Sequence, residues 1–180
     1  KKTPITLRQL ATHTAAIDDR NKDENTYWIE NKEIFLQNKD KYMHKSICKE
    51  MEGLLDNKEM SLENFMKAFF TLEGKLYSKK NFFKKKPGES WKYSNVGASL
   101  AAYIVELAAE QDYSKFVEEK VIIPLELKNT TWGFNAENKT MNALKYDGGK
   151  IEYPRLRGVT YPEGGIYAST KDLSRYLMEW

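Results

Sequence analysis

The chain has 180 residues, of which 41% are hydrophobic, 31% charged and 13% aromatic, a length and balance that suit one domain with a sizeable core. No apolar run approaches the roughly 20 residues of a membrane-spanning helix, and no charged-then-apolar start reads as a signal peptide. Net charge is +3, with lysines and acids alternating as on a solvated surface, while the lone Cys48 and the distant His13 and His44 exclude a disulfide framework, a Cys-based metal site and a histidine metal cluster.

Lys1 and Lys2 lead straight into a helix signal, so the sequence is expected to start within a domain. Thr6 is a good N-cap and Gln9 completes a capping box, with Ile5 and Leu10 placed for a hydrophobic staple. This predicts a helix from Leu7 to about His13. Residues 18–60 are polar but carry apolar residues at helical spacing. Ile29, Ile34, Phe35 and Leu36 suggest one helix, and Ile47, Met51, Leu54 and Leu55 another, both with polar outer faces. Ser61 caps a clearer helix, whose Leu62, Phe65, Met66, Phe69 and Phe70 make one apolar stripe, with Gly74 as its stop.

Pro87-Gly88 marks a turn, and a helix rich in small residues follows Tyr93-Ser94-Asn95. Its Ala98, Ala101, Ala102, Val105, Ala108 and Ala109 allow close packing. Asp112 is placed to cap a further helix that buries Tyr113, Phe116, Val117 and Val121 and stops at Pro124. From Thr130 the pattern changes. Tyr146-Asp-Gly-Gly-Lys-Ile151 reads as a β-hairpin turn between short strands, and Gly164-Gly165 as a tight bend. Ser169 with Asp172 opens a last helix, on which Leu173, Tyr176, Leu177 and Trp180 share one face.

Two features could carry function. The run Lys79-Lys80 and Lys84-Lys85-Lys86, interleaved with Phe82 and Phe83, raises nucleic-acid binding. No RNA or DNA motif accompanies it, so no nucleic-acid partner is expected, and a groove rim or an anionic cell-surface polymer fits such a run at least as well. The second feature is Tyr93-Ser94-Asn95, between a Pro-Gly turn and a helix start, where a polar cluster can line a cleft. A tyrosine there acts as a base only if its pKa falls well below about 10, which a neighbouring lysine could bring about. An asparagine can hold a substrate carbonyl or amide. On these three residues alone the plain structural reading is preferred, with Ser94 or Asn95 an N-cap and Tyr93 in the core.

The surroundings reverse that preference. Pro87-Gly88-Glu89-Ser90-Trp91-Lys92-Tyr93-Ser94-Asn95-Val96-Gly97 resembles the PGxxxxYSNxG segment of the penicillin-recognising serine hydrolases, the superfamily of class C β-lactamases, penicillin-binding proteins and related esterases. The following helix with Ala102-Tyr103-Ile104-Val105-Glu106, and Tyr113-Ser-Lys-Phe-Val117 leading into Ile123-Pro124-Leu125, also fit that family. The stretch from Ile5 to Thr14 resembles its ITLRxLLTHTSG segment, and Gly164 to Leu173 its GGLxSTxxDL segment. The segments occur in the family's order and cover most of the chain.

The resemblance implies a serine nucleophile in a Ser-x-x-Lys motif, a lysine and tyrosine that share proton transfer, and a Lys-Thr-Gly-type strand beside an oxyanion hole. By the match, Tyr93 is the acid/base and Asn95 positions the substrate, while Ser94 has no direct chemical role. Gly164 and Gly165 border the substrate. Gly164 stands where β-lactamases of this class often carry an aromatic, which hints at a wider site. The Ser-x-x-Lys motif is expected before Lys1 and the third motif after Trp180. Lys139-Thr140-Met141 lacks the glycine, and Ser46-Ile47-Cys48-Lys49 matches Ser-x-x-Lys only formally, at the wrong place in the order. Ala15-Ala16 replaces the family's Ser-Gly, a change expected to alter only a turn.

The expected fold class is α+β, mainly α: the helical domain portion of the β-lactamase/transpeptidase-like fold with a few short strands. Residues 1–180 are read as one domain fragment. Within it lie an insert-like helical region over 18–86, the Tyr-x-Asn motif and helices over 87–128, short strands over 129–168 and a helix over 169–180. The expected function is a fragment of a serine acyl-transfer hydrolase, inactive alone, acting on a β-lactam, a D-Ala peptide of peptidoglycan type or an ester. It needs no cofactor and no metal. Its expected location is the cell envelope or outside the cell, with peripheral association at the envelope. The alternative is a non-catalytic cell-envelope or protein-binding module.

Overall fold

A computed structural model describes residues 3–20, 26–42, 44–132, 143, 146–147 and 151–179. Helix α1 (Leu7–Ala11) starts as its capping box dictates. The Thr6 hydroxyl accepts the Gln9 N–H at 3.3 Å, and Gln9 Oε1 accepts the Thr6 N–H at 2.9 Å. It stops at Ala11 rather than near His13, because His13 takes a left-handed backbone with φ 53°. Strand β1 (Tyr27–Ile29) and helices α2 (Lys32–Asn38) and α3 (Lys45–Gly53) follow. Ile29 therefore lies in a strand, not in the helix its spacing with Ile34 suggested. Of that predicted apolar set Phe35 is buried, whereas Leu36 faces outward at 51% exposure. Ile29, Phe35, Tyr42, Cys48, Met51 and Leu54 form one core cluster.

Helix α4 (Leu62–Phe70) is capped by Ser61, whose Oγ accepts the Asn64 N–H at 3.2 Å. It buries Leu62, Phe65, Met66 and Phe69, at about 1.5–3 kcal/mol each. These meet Leu10, Ile17, Val96, Ala102 and Val159 in a second and larger cluster. Helix α5 (Asn95–Ala109) runs through it, with α1, α4 and α6 (Tyr113–Val117) packed against it. Gly97, Ser99 and Ala102 are buried along its inner side, whereas Ala108 is exposed. Asp112 occupies the N-cap position of α6 but its side chain makes no capping bond. Glu106 of α5 does that work instead, its Oε1 accepting the Tyr113 N–H at 3.0 Å. The predicted buried set of this region, Tyr113, Phe116, Val117 and Val121, is only half-buried, and a π-helical turn over Glu118–Ile122 carries the chain to Pro124.

The remaining strands are β2 (Thr131–Trp132), β3 (Tyr146–Asp147), β4 (Ile151–Glu152), β5 (Leu156–Gly158) and β6 (Ile166–Tyr167), followed by helix α7 (Thr170–Met178). Among the described residues they make three separate antiparallel ladders, β1 with β5, β2 with β6, and β3 with β4. The β3–β4 pair is the expected hairpin; its turn, 148–150, lies outside the described residues, as do Lys139-Thr140-Met141 and Trp180. Ser169 caps α7 through the Asp172 N–H as predicted. Its apolar face is not buried, since Leu173 and Leu177 are 53% and 63% exposed. The helix is held by its polar first turn instead, where the Asp172 carboxylate accepts the Asn129 N–H at 2.6 Å and the Thr130 hydroxyl at 3.0 Å. The fold class is α+β, mainly α, and among the described residues no helix is long and apolar enough to cross a membrane.

Gly74 does not end α4; Thr71 is the C-cap, and Gly74 sits where the chain doubles back over the last turn. The Leu76 N–H donates to the Ala68 carbonyl at 3.0 Å, and a Cβ on Gly74 would lie 2.2 Å from that same oxygen. Gly74→Ala should therefore destabilise the fold by about 1–3 kcal/mol, as overpacking against fixed backbone does. Urea unfolding measures it, and a loss below about 0.5 kcal/mol, the range of a neutral surface change, would contradict the close approach.

Candidate active site

The polar cluster at the start of α5 is assembled from two directions. Locally, Ser94 has extended backbone and its Oγ accepts the Gly97 N–H at 2.9 Å, so it is the N-cap that the plain reading predicted. From far away in sequence comes Asp19. Its Oδ1 accepts the Ser94 hydroxyl at 2.6 Å and the Val96 N–H at 3.3 Å, and its Oδ2 accepts the Asn95 N–H. The first three amides of the helix are thus all satisfied, with a carboxylate set against the positive end of the helix dipole.

His13 holds the other side. Its carbonyl accepts the Lys92 N–H at 2.8 Å and its Nδ1 accepts the Ser94 N–H at 3.2 Å, which places the ring proton on Nε2. Its ring centroid lies 4.5 Å from that of Tyr93. The left-handed turn at His13 makes this reach possible, and the loop is tied down by Gly88 N–H to the Thr14 carbonyl at 2.7 Å and Phe83 N–H to the Ala16 carbonyl at 2.9 Å. Ala16, where the resembled family has glycine, has φ 60°. The turn keeps the left-handed conformation and carries the strain of a Cβ in it.

Tyr93 is 52% exposed and so is not a core residue, while Asn95 is half-buried. Among the described residues neither side chain has a hydrogen-bond partner, so phenol and amide are unengaged. The lysine adjacent in sequence is engaged elsewhere: Lys92 Nζ lies 3.7 Å from Asp18 Oδ1 and 4.2 Å from the centre of the Phe83 ring.

Gly164 and Gly165 close a short 3₁₀ turn over Tyr161–Glu163, their N–H groups donating to the Tyr161 carbonyl at 3.1 and 2.8 Å. A Cβ on Gly164 would meet nothing within 4 Å, whereas one on Gly165 would lie 3.1 Å from the Tyr161 carbonyl oxygen. This turn is fixed to α5 and α6. The Ser99 hydroxyl donates to the Thr160 carbonyl at 3.4 Å, and the Tyr161 hydroxyl accepts the Ser114 N–H at 3.2 Å. Both candidate elements are therefore held by one helix, the Tyr-x-Asn segment at its first turn and the glycine turn through Ser99 in its second.

A profile of the Beta-lactamase family matches residues 1–180. The chain belongs to the β-lactamase family. Beta-lactamase-like protein 2 of Dictyostelium discoideum is 26% identical over 96 residues, 51% of this chain and 18% of its own length. The octameric penicillin-binding protein homologue of Pyrococcus abyssi superposes with a TM-score of 0.55 at 22% identity, over 97% of this chain and 34% of its own. The D-amino acid amidase of Ochrobactrum anthropi SV3 gives 0.56 at 17% identity, over 96% and 42%. The chain thus spans less than half the length of these relatives, and it shares their β-lactamase/transpeptidase-like fold.

Within this β-lactamase-family chain the formal Ser-x-x-Lys match is not brought to Tyr93. Ser46 and Lys49 are exposed on α3, whose buried Cys48 and Met51 belong to the smaller cluster, while α5 belongs to the larger one. His44 is exposed, and the described residues contain no group of three or more His, Cys, Asp or Glu able to hold a metal ion. Sequence reasoning missed Asp19 and saw His13 only as part of a motif. No local spacing links either to Ser94, which lies 75 and 81 residues away.

The network under the glycine turn holds two groups displaced from their ordinary pKa values. Burial pushes the Glu106 carboxyl above its usual range, and the nearby Asp112 charge adds to this against the Tyr113 N–H bond. Burial and the Glu106 charge together push the Tyr161 phenol up to about 12. A raised carboxyl pKa favours the folded state below about 4.3, and that contribution is lost as pH rises through the folded-state value. Glu106→Gln keeps an oxygen for Tyr113 but cannot ionise. Its melting temperature should gain on the native chain's as pH is raised from about 4 to 7. A difference that stays flat across that range would remove the argument.

Proposed function

We propose that this chain forms the Tyr-x-Asn wall of a serine acyl-transfer hydrolase that acts on a β-lactam, a D-Ala peptide of peptidoglycan type or an ester. The observation that carries the reading is a half-exposed tyrosine and an unengaged asparagine flanking a doubly capped helix start. A residue that takes a proton and passes it on must be open to substrate yet fixed in place. In the proposed reaction a serine Oγ from outside residues 1–180 attacks the carbonyl carbon. Its proton passes through Tyr93 Oη to the leaving amine or alcohol, and Asn95 holds the acyl-side amide. The acyl-enzyme is then released by water. The open space at Gly164 leaves room for a bulky acyl group, in keeping with a peptide or ester. A D-amino acid amidase and a penicillin-binding protein homologue share the fold on which this reading rests. The reading calls for no cofactor and no nucleic acid, and it places the protein at the cell envelope or outside the cell.

The test is intact mass after exposure to a β-lactam probe and a fluorophosphonate, on this chain and on the product of the full reading frame. The expected result is an adduct on the full product only, mapping before Lys1, and formed about 10²–10⁴-fold more slowly in Tyr93→Phe. An adduct on this chain that disappears in Ser46→Ala, or no adduct on either protein, would overturn the reading.

A second reading rests on a separate observation. Lys79, Lys80, Lys84, Lys85 and Lys86 are all exposed, and their side chains make no ion pair among the described residues. Such a patch suits a non-catalytic module that binds an anionic cell-envelope polymer. Pulldown on peptidoglycan should then weaken when Lys84, Lys85 and Lys86 are reversed to glutamate, and binding indifferent to that reversal removes this reading.

A further inference from the structure

We infer that Asp19 and His13 are positioning residues that set the Tyr93 phenol and the Asn95 amide in their working places. The inference rests on the Tyr-x-Asn reading above and deepens it. Ser94 alone would cap α5, since its hydroxyl already takes the Gly97 N–H. Asp19 is therefore not needed to start the helix. What it adds is a grip on Ser94, Asn95 and Val96, the residues that carry and flank the proposed chemistry. The Ser94 hydroxyl donates to Asp19 while accepting from Gly97, so its orientation is fixed from both sides.

His13 grips the remaining residue by both of its neighbours. The N–H before Tyr93, on Lys92, goes to the His13 carbonyl, and the N–H after it, on Ser94, goes to the His13 ring. The same ring packs on the Tyr93 ring at 4.5 Å. The peptide of Tyr93 is thus pinned at both ends and its side chain supported on one face, with the phenol oxygen left unengaged. Both grips come from the loop after α1, whose left-handed His13 and Ala16 are tolerated because the loop is bonded to residues 83 and 88. Strain kept at a point that fixes a reactive segment is the pattern expected of positioning, where misplacement by about 1 Å costs up to 100-fold in rate.

The experiment pairs a readout that needs no activity with one that does. Amide hydrogen exchange of this chain should quicken by about 10-fold or more at Asn95 and Val96 in Asp19→Ala, less in Asp19→Asn, with the melting of α4 unchanged. In the product of the full reading frame, acting on a chromogenic β-lactam or ester, Asp19→Ala should lower kcat about 10- to 100-fold with KM within about 3-fold, and Asp19→Asn should recover part of the loss. His13→Ala should lower kcat likewise, but placed in a Tyr93→Phe background it should cost less than about 2-fold more, because it acts through that tyrosine. Unchanged exchange, an unchanged kcat, or a full additional loss in the Tyr93→Phe background would each overturn the inference. A full product that neither turns over nor labels defeats the hydrolase reading instead, and the exchange rates of this chain then decide the grip alone.

Discussion

An α-helix begins with backbone N–H groups that have no partner inside the helix, and in α5 one carboxylate from 76 and 77 residues earlier takes the first two. That contact decides more than the stability of one helix end. It joins the loop after α1 to the start of α5, and it makes the left-handed turn at His13 and the φ of 60° at Ala16 part of the site rather than incidental loop geometry. Without it the N–H groups of Asn95 and Val96 would need water, and the end of the loop at Asp19 would lose its bonds to α5.

From that fixed end, α5 transmits position along its length. Its inner side carries Val96, Gly97, Ser99 and Ala102, small enough for α1 and α4 to lie close. Ser99 uses one hydroxyl to hold Thr160, so the glycine turn is referenced to the same rod as Tyr93. Glu106, two turns further on, caps α6 and interacts with Tyr161, which supports that glycine turn from its other side. A polar residue on an otherwise apolar helix is costly to bury, and here Ser99 and Glu106 each have a backbone group to satisfy.

What could be read from the sequence follows from the range of the forces. Capping is local, so Thr6 with Gln9, Ser61, and Ser169 with Asp172 were legible from spacing alone. The Leu62–Phe70 stripe was legible because a strongly amphipathic helix needs no partner to be recognised. Ile29 was misread because its partner in the sheet, Leu156, is 127 residues away, and three residues of strand carry no period of their own. Asp112 was misread because position fits a cap, whereas the carboxylate that reaches the Tyr113 N–H belongs to the preceding helix. Tyr93 and Asn95 were singled out through the resemblance of their segment, not through any physical signal of three residues. Asp19 gave no signal, since nothing in an aspartate's neighbours tells which distant helix it will meet, and His13 gave none beyond its place in a resembled segment.

The last helix repeats the device. Burial alone would push the Asp172 carboxyl up, but the Asn129 N–H, the Thr130 hydroxyl and Ser169 together hold it below the usual carboxylate range. The charged form is the one these donors stabilise, so α7 is located by an ionised carboxylate at its first turn while Leu173 and Leu177 remain open. An apolar face can slide along a core with little loss, because hydrophobic burial has no direction. A carboxylate that accepts two or three aligned donors cannot, since each bond weakens steeply as its angle opens. Both helices that follow the resembled motifs, at Tyr93-Ser94-Asn95 and at Gly164-Gly165, are thus fixed at their N-termini by directional contacts. That is the kind of restraint a reacting segment requires and a core alone does not provide.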